Sequence, residues 1–138
     1  MPTIVDTSAL YALTDRSDLH HLEAACFLRE HAEERGLPIT NHVFDETMTT
    51  VKARRGVAVA LQLGARLRNS RFVEMVVCRP GDEQEIWRVF SKHTDKAWSY
   101  TDCACLVLAR QRGLQETFAF DHHFAQMGLR MVPADHTG

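Results

Sequence analysis

Short β-branched runs alternate with helical stretches along the whole of this 138-residue chain, and that alternation leaves few folds open. Thr3-Ile4-Val5 reads as a first strand ending at Asp6, with Leu37-Pro38-Ile39-Thr40 a second and Phe72 to Val77 a third. Thr117 to Phe120 is a fourth strand, and Leu129 to Val132 a short last one. Between them run helical patterns. Ser8 to Leu13 opens one, with Asp6, Thr7 or Ser8 as its cap, and Asp18 caps a longer one that Gly36 ends after Arg35. Asn41 is a good cap for a helix from His42 to Arg55. After Gly56 the stripe Val57, Ala60, Leu61, Gly64 and Leu67 marks another. Pro80-Gly81 reads as a turn before a helix from Asp82 to His93, with Ile86, Val89 and Phe90 facing inward. Ser99 to Arg112 is apolar on nearly every side and should lie deep. Such alternation favours an α/β fold: a twisted, mainly parallel sheet of four to five strands with helices on both faces.

The length suits one compact domain, residues 1–138, large enough to fold without disulfide or structural metal. No apolar run approaches the roughly 20 residues of a membrane helix. The start, Met1 to Asp6, has neither a basic region nor an apolar stretch of the export type, so the expected location is cytoplasmic. Cys26, Cys78, Cys103 and Cys105 form no C-x-x-C pair, which is poor spacing for zinc; they read as small apolar fillers in a reducing compartment.

Charge is unevenly placed. Thr47 to Val73 has no acid but holds Lys52, Arg54, Arg55, Arg66, Arg68 and Arg71, while the rest carries the other 10 of 16 cations and all 18 acids. A basic segment in an acidic protein points to an anionic partner, nucleic acid first. The plainer alternative is a solvated arginine-rich helix face.

Ligands of parallel sheets bind at the carboxyl ends of the strands. Asp6 directly follows the first strand and Asp121 the fourth; Asp102 lies in the first turn of the buried helix, and Glu46 shares the inward side of its helix with Val43 and Thr50. Converging carboxylates repel, and a hard divalent cation relieves the repulsion. Such an ion lowers the pKa of its water and stabilises charge on a phosphodiester, so no protein nucleophile is needed. Each acid has another reading. Asp6 and Asp102 can cap helices, Asp121 can sit in a turn, and Glu46 can be exposed if the register slips, with Asp45 the rival. Asp95 reads as an exposed loop residue, and Trp87 and Trp98 as packing residues.

Taken together, the motifs resemble the PIN-domain family, in particular its VapC-type toxins. Val5-Asp6-Thr7-Ser8-Ala9-Leu10 is similar to the first acidic motif, and His20 fits the region after it. Val43-Phe44-Asp45-Glu46-Thr47 is similar to the second, and Ser99-Tyr100-Thr101-Asp102-Cys103-Ala104 to the third. Phe118 to Phe124, then Gly128 and Val132, matches the last. The matches fall in family order over nearly the whole chain. The resemblance implies a parallel sheet with Asp6 on its central strand and Mg²⁺- or Mn²⁺-dependent endonucleolytic cleavage of RNA. It implies Asp6, Glu46, Asp102 and Asp121 as catalytic and metal-binding acids, with Thr7, Ser99 and Thr101 as hydroxyl support. It further implies a homodimer and a small antitoxin partner. Next to Asp121, His122 and His123 offer metal ligands or a general base, but a hard-metal site needs no imidazole, and they read as capping and packing residues. An aspartyl-nucleophile phosphotransferase would want an acid where Ser8 stands, and a receiver domain an acidic pair at the first strand. The remaining rival is a PIN-like module that binds RNA or protein without cutting.

Overall fold

The computed structural model describes residues 1–134, so the last four positions of the expected 1–138 domain lie outside the described residues. In chain order the elements are β1 (Ile4–Val5), α1 (Thr7–Thr14), α2 (His21–Arg35), β2 (Leu37–Thr40), α3 (Asn41–Arg55) and α4 (Val57–Asn69). They continue with β3 (Val73–Val76), α5 (Pro80–Lys92), α6 (Tyr100–Arg112), β4 (Glu116–Phe118), α7 (His123–Gln126) and β5 (Arg130–Val132).

Every strand pairing is parallel. The strands form two ladders, β1-β4-β5 and β2-β3. The Thr3 amide donates to the Gly36 carbonyl at 3.1 Å, which sets β2 beside β1 and gives the order β3-β2-β1-β4-β5. β1 is therefore the middle strand. Chain connections run outward from it in both directions, so the crevice between the ends of β1 and β4 is the topological switch point where such sheets bind ligands.

All four residues of β2 and both of β1 are buried. Successive strand side chains point to opposite faces, so the helices must cover both. Thr101 through Ala109 of α6 are buried without interruption, as its all-round apolar sequence demands.

Local chemistry moved several boundaries. Thr40, not Asn41, caps α3, its hydroxyl accepting from the Val43 amide at 3.1 Å. Asn41 Oδ1 is drawn off to accept from the Cys78 amide at 2.8 Å. Pro80-Gly81 opens α5 instead of turning the chain: at N1 a proline lacks only an N–H that would be unpaired anyway. Asp18 accepts from the His20 amide ahead of α2, whose first residue is His21. Phe90 is 38% exposed, because it meets Tyr100 edge-on at the surface instead of entering the core.

One ion-pair group ties α2 to the outer ladder. Glu116 pairs with Arg35 at 2.5 Å and with its cross-strand neighbour Arg130. Burial pushes the Glu116 carboxyl up, but the bonds from Arg130 and Arg35 outweigh it and hold it below the usual range. A depressed native pKa stabilises the fold above the unfolded value of 4.5 and loses that contribution as pH falls through the lower native value. Glu116→Gln is expected to lower unfolding stability by about 1–3 kcal/mol at neutral pH. Urea melts of both proteins should converge below pH 4.5, and a pH-independent gap would rule the charge out as the cause.

Candidate active site

Ile4 pairs with Thr117 and Val5 with Phe118, so β1 and β4 end in register and release their following residues at one edge. The Asp6 amide extends this pairing by donating to the Phe118 carbonyl at 3.0 Å. Asp6 is 3% exposed and caps α1, its Oδ2 accepting from the Ser8 amide at 3.1 Å and the Ser8 hydroxyl at 2.8 Å. The same hydroxyl accepts from the Phe120 amide at 3.0 Å, so Ser8 pins the end of β1 to the segment leading to Asp121.

Asp102 approaches from α6. It is the third residue of that helix in a capping box: Asp102 Oδ2 accepts from the Ser99 amide at 2.9 Å, and Ser99 Oγ from the Asp102 amide at 3.0 Å. His123 Nδ1 lies 2.9 Å from Asp102 Oδ2 and 3.2 Å from Asp121 Oδ1. Asp121 in turn accepts from the His123 amide at 3.0 Å. The ligating atoms of Asp102, Asp121 and His123 all fall within 4.8 Å of one another, a group able to hold a metal ion. Glu46 lines the same cleft from α3, while Asp45 is exposed.

The cleft has a volume of about 500 Å³. It brings together Asp6, Glu46, Asp102 and Asp121 with Thr7, Ser99 and Arg54. Thr101 is buried in α6 and does not line it. Of the six cations between Thr47 and Val73 only Arg54 reaches the cleft, lying 5.3 Å over the Tyr11 ring. Arg66 lines a separate apolar cavity of about 730 Å³, and Lys52, Arg55, Arg68 and Arg71 line neither. The apolar cavity is larger, but it has no acid cluster; the polar cleft is where chemistry can occur.

Three groups of the cleft have shifted ionisation. Burial pushes the Asp6 carboxyl up to about 6, against the pull of the Ser8 hydrogen bonds and with a further push from Asp102. Burial also raises Asp102; the Ser99 amide and His123 oppose it, and the charge of Asp121 adds to it. For His123 burial acts downward, but the Asp102 bond and the fields of Asp121 and Asp6 win, leaving its pKa raised. Thr7 Oγ1, at the cleft, is buried with no hydrogen-bond partner among the described residues. Crowded carboxylates that resist ionising, beside an unpaired hydroxyl oxygen, form an oxygen-rich donor set that fits a hard divalent cation.

Sequence reasoning missed two cleft residues that shape the site. Ser8 carried a usable signal, since a serine two residues after a helix-capping aspartate can return a hydrogen bond to it. His123 was read as packing, yet it touches two of the acids. Trp98 is buried and donates to Gln126, while Trp87 is 62% exposed; neither lines the cleft.

An acid-lined cleft where parallel strands end makes this a small α/β domain with an oxygen-rich site of the kind that takes a divalent cation. Residues 3–129 match the PIN domain, and this chain belongs to the PIN-domain family. It is 30% identical to the 23S rRNA-specific endonuclease VapC20 of Mycobacterium tuberculosis over 126 residues, 91% of this chain and 93% of that protein. It is 25% identical to a VapC ribonuclease of Archaeoglobus fulgidus over 128 residues, 91% and 80% of the two chains. Among solved structures, M. tuberculosis VapC20, described as a sarcin–ricin loop cleaving toxin, superposes with a TM-score of 0.85 at 27% identity, covering 92% of this chain and 95% of that one. The Rickettsia felis VapBC2 complex on a promoter DNA fragment shares the fold, with a TM-score of 0.71 at 10% identity over 95% and 97% of the chains. No helix among the described residues is long and apolar enough to cross a membrane.

Proposed function

We propose that this chain is a divalent-metal-dependent endoribonuclease, the toxin of a toxin–antitoxin pair, using Mg²⁺ with Mn²⁺ as a substitute. The observation that carries the reading is the convergence of four separately supplied acids on one cleft, Asp6 directly after β1 and Asp121 three residues past the end of its partner strand β4. The relatives support RNA as substrate, and VapC20 makes ribosomal RNA the first to try. Asp6, Glu46, Asp102 and Asp121 would hold the ion, and Thr7 and Ser99 are the hydroxyls offered as support. The bound ion supplies an activated water and charge neutralisation at the phosphodiester. Around it, Ser8 fixes the Asp6 carboxylate and His123 fixes Asp102 against Asp121. A module that merely bound RNA would gain nothing from concentrating negative charge where phosphates must lie. The same reading extends to a cytoplasmic homodimer whose antitoxin covers the cleft.

The test is cleavage of ribosomal RNA and of a structured-RNA pool in Mg²⁺, Mn²⁺ or EDTA, with Asp121→Asn purified in parallel. Cutting that EDTA and the variant both abolish supports the reading; cutting that survives in the variant refutes it.

Arg54 lines the cleft beside the acids, which supports it as the cation that meets a phosphate there. Arg54→Ala is expected to raise KM for RNA with little change in kcat. In salt titrations of RNA binding, the slope of log affinity against log salt should shrink by about one. An unchanged slope would remove Arg54 from the RNA path.

A further inference from the structure

Away from the acid cleft, a second set of metal-ligating side chains converges, and its donors are of a different kind. His42 stands in the first turn of α3, Cys78 just after β3, and Glu83 in the first turn of α5. One imidazole nitrogen, the Cys78 Sγ and one Glu83 carboxylate oxygen lie within 4.8 Å of one another. His42 Nε2 is 2.5 Å from Glu83 Oε1. Tyr100 donates to Glu83 Oε2 at 3.1 Å and sets its ring edge-on to His42 at 5.4 Å. Asn41 Oδ1 accepts from the Cys78 amide at 2.8 Å, fixing the backbone that carries the thiol. All three donor residues are half-buried, reachable from solvent yet held by packing.

We propose that His42, Cys78 and Glu83 form a second metal site, built for Zn²⁺ or a similar borderline transition ion. Sulfur, nitrogen and oxygen donors from three residues, with a fourth position left to water, are a zinc donor set. Thiolate and imidazole disfavour Mg²⁺, so the site is chemically distinct from the oxygen-rich cleft. Bonds of 2.0–2.3 Å in a tetrahedron separate the donors by about 3.3–3.8 Å. That fits inside the observed envelope once His42 and Glu83 part by about an ångström, a change side-chain rotation can provide. Burial, with the charges of Glu83 and Asp82, pushes the Cys78 thiol up to about 11. The same negative field attracts a dication, and on binding the thiol proton passes to solvent while sulfur bonds the metal. Asn41 and Tyr100 already stand as the outer partners that orient ligands.

The spacing of the cysteines along the sequence argued against zinc, because the partners of Cys78 are a histidine and a glutamate brought in by the fold. The placement also bears on the cleft. His42 lies one helical turn before Glu46 on α3, and Tyr100 is in the first turn of α6 with Asp102. An ion here ties α3, which carries Glu46, to the start of α5, and reaches the start of α6 only through the Tyr100 bond to Glu83.

The test uses Co²⁺ as a spectroscopic probe, titrated into the full chain under excess Mg²⁺ so that the oxygen-rich cleft is occupied. The wild type should develop a thiolate-to-cobalt charge-transfer band saturating at one equivalent and displaced by Zn²⁺. The band should persist in Cys26→Ser, which removes an exposed thiol that is not one of the trio, and in Asp121→Asn, which separates this site from the nuclease reading. It should vanish in Cys78→Ser. His42→Ala should weaken binding at least tenfold, about the smallest loss that even outer-partner changes cause. Absence of the band in the wild type overturns the proposal, and so does a band that survives in Cys78→Ser.

Discussion

Asp6→Asn is expected to abolish divalent-dependent RNA cleavage while making the metal-free protein more stable. The rate should fall by at least about 10²–10³-fold, the usual cost of removing one preorganised electrostatic partner. Stability should move the other way. Asparagine keeps an oxygen for the Ser8 amide and hydroxyl and is as good a helix cap as aspartate, so α1 keeps its start. What it removes is a buried charge. The native pKa of Asp6, about 6, lies above the ordinary 3.8. Its stabilising contribution is therefore complete below 3.8 and is lost as pH rises through about 6. Asparagine mimics the protonated form at every pH. The variant's advantage should open between these two values and level off above them, at about 1–3 kcal/mol. Adding Mg²⁺ or Mn²⁺ should raise the unfolding temperature of the wild type and leave the variant unmoved. Parallel pH profiles for the two proteins would refute the raised pKa of Asp6, and equal stabilisation by the ions would remove it from the metal site.

Asp102→Asn should lose cleavage to a similar extent but leave a different mark. Its carboxylate accepts from both the Ser99 amide and His123. Asparagine can keep the first bond, so α6 stays capped; it cannot keep the charge that faces the imidazole. In the wild type His123 has a raised pKa, so its contribution to stability is complete below 6.5 and lost as pH rises through the higher native value. Without Asp102 the downward effect of burial meets less opposition, and the native pKa should fall. An NMR titration of the His123 ring, assigned with His123→Asn, reads this directly in metal-free protein. A titration unchanged in Asp102→Asn would mean that His123 does not depend on this carboxylate, and its role as the group orienting Asp102 would fail.

Much of the architecture was legible in residue order because it is set locally. Thr3-Ile4-Val5 and the run from Thr117 mark β1 and β4, but β4 stops at Phe118 and not at Phe120, so Asp6 follows its strand directly while Asp121 lies three residues beyond its own. The unbroken apolar character of the Ser99–Arg112 stretch already required a helix sunk in the core. The inward register of Glu46 over Asp45 also follows from helical period alone. Capping was legible only as an alternative to catalysis, whereas Asp6 and Asp102 both cap helices and line the cleft. A helix N-terminus favours the charge that such a cleft requires.

Tertiary structure decided what depends on distance between elements far apart in sequence. Asn41 is an equally good cap by type, but Thr40 takes that role because the Cys78 amide claims the Asn41 side chain. Six cations form one run in sequence, yet they are divided between α3, α4 and the turn after α4, and of the six only Arg54 lines the cleft with the acids. His123 and Ser8 join the cleft because parallel pairing brings the ends of β1 and β4 to one edge. Periodicity reports which side of an element is apolar; it says nothing about which polar ends will meet. By itself the sequence determined the strands, the helices and the four acids, and packing across the sheet determined their neighbours.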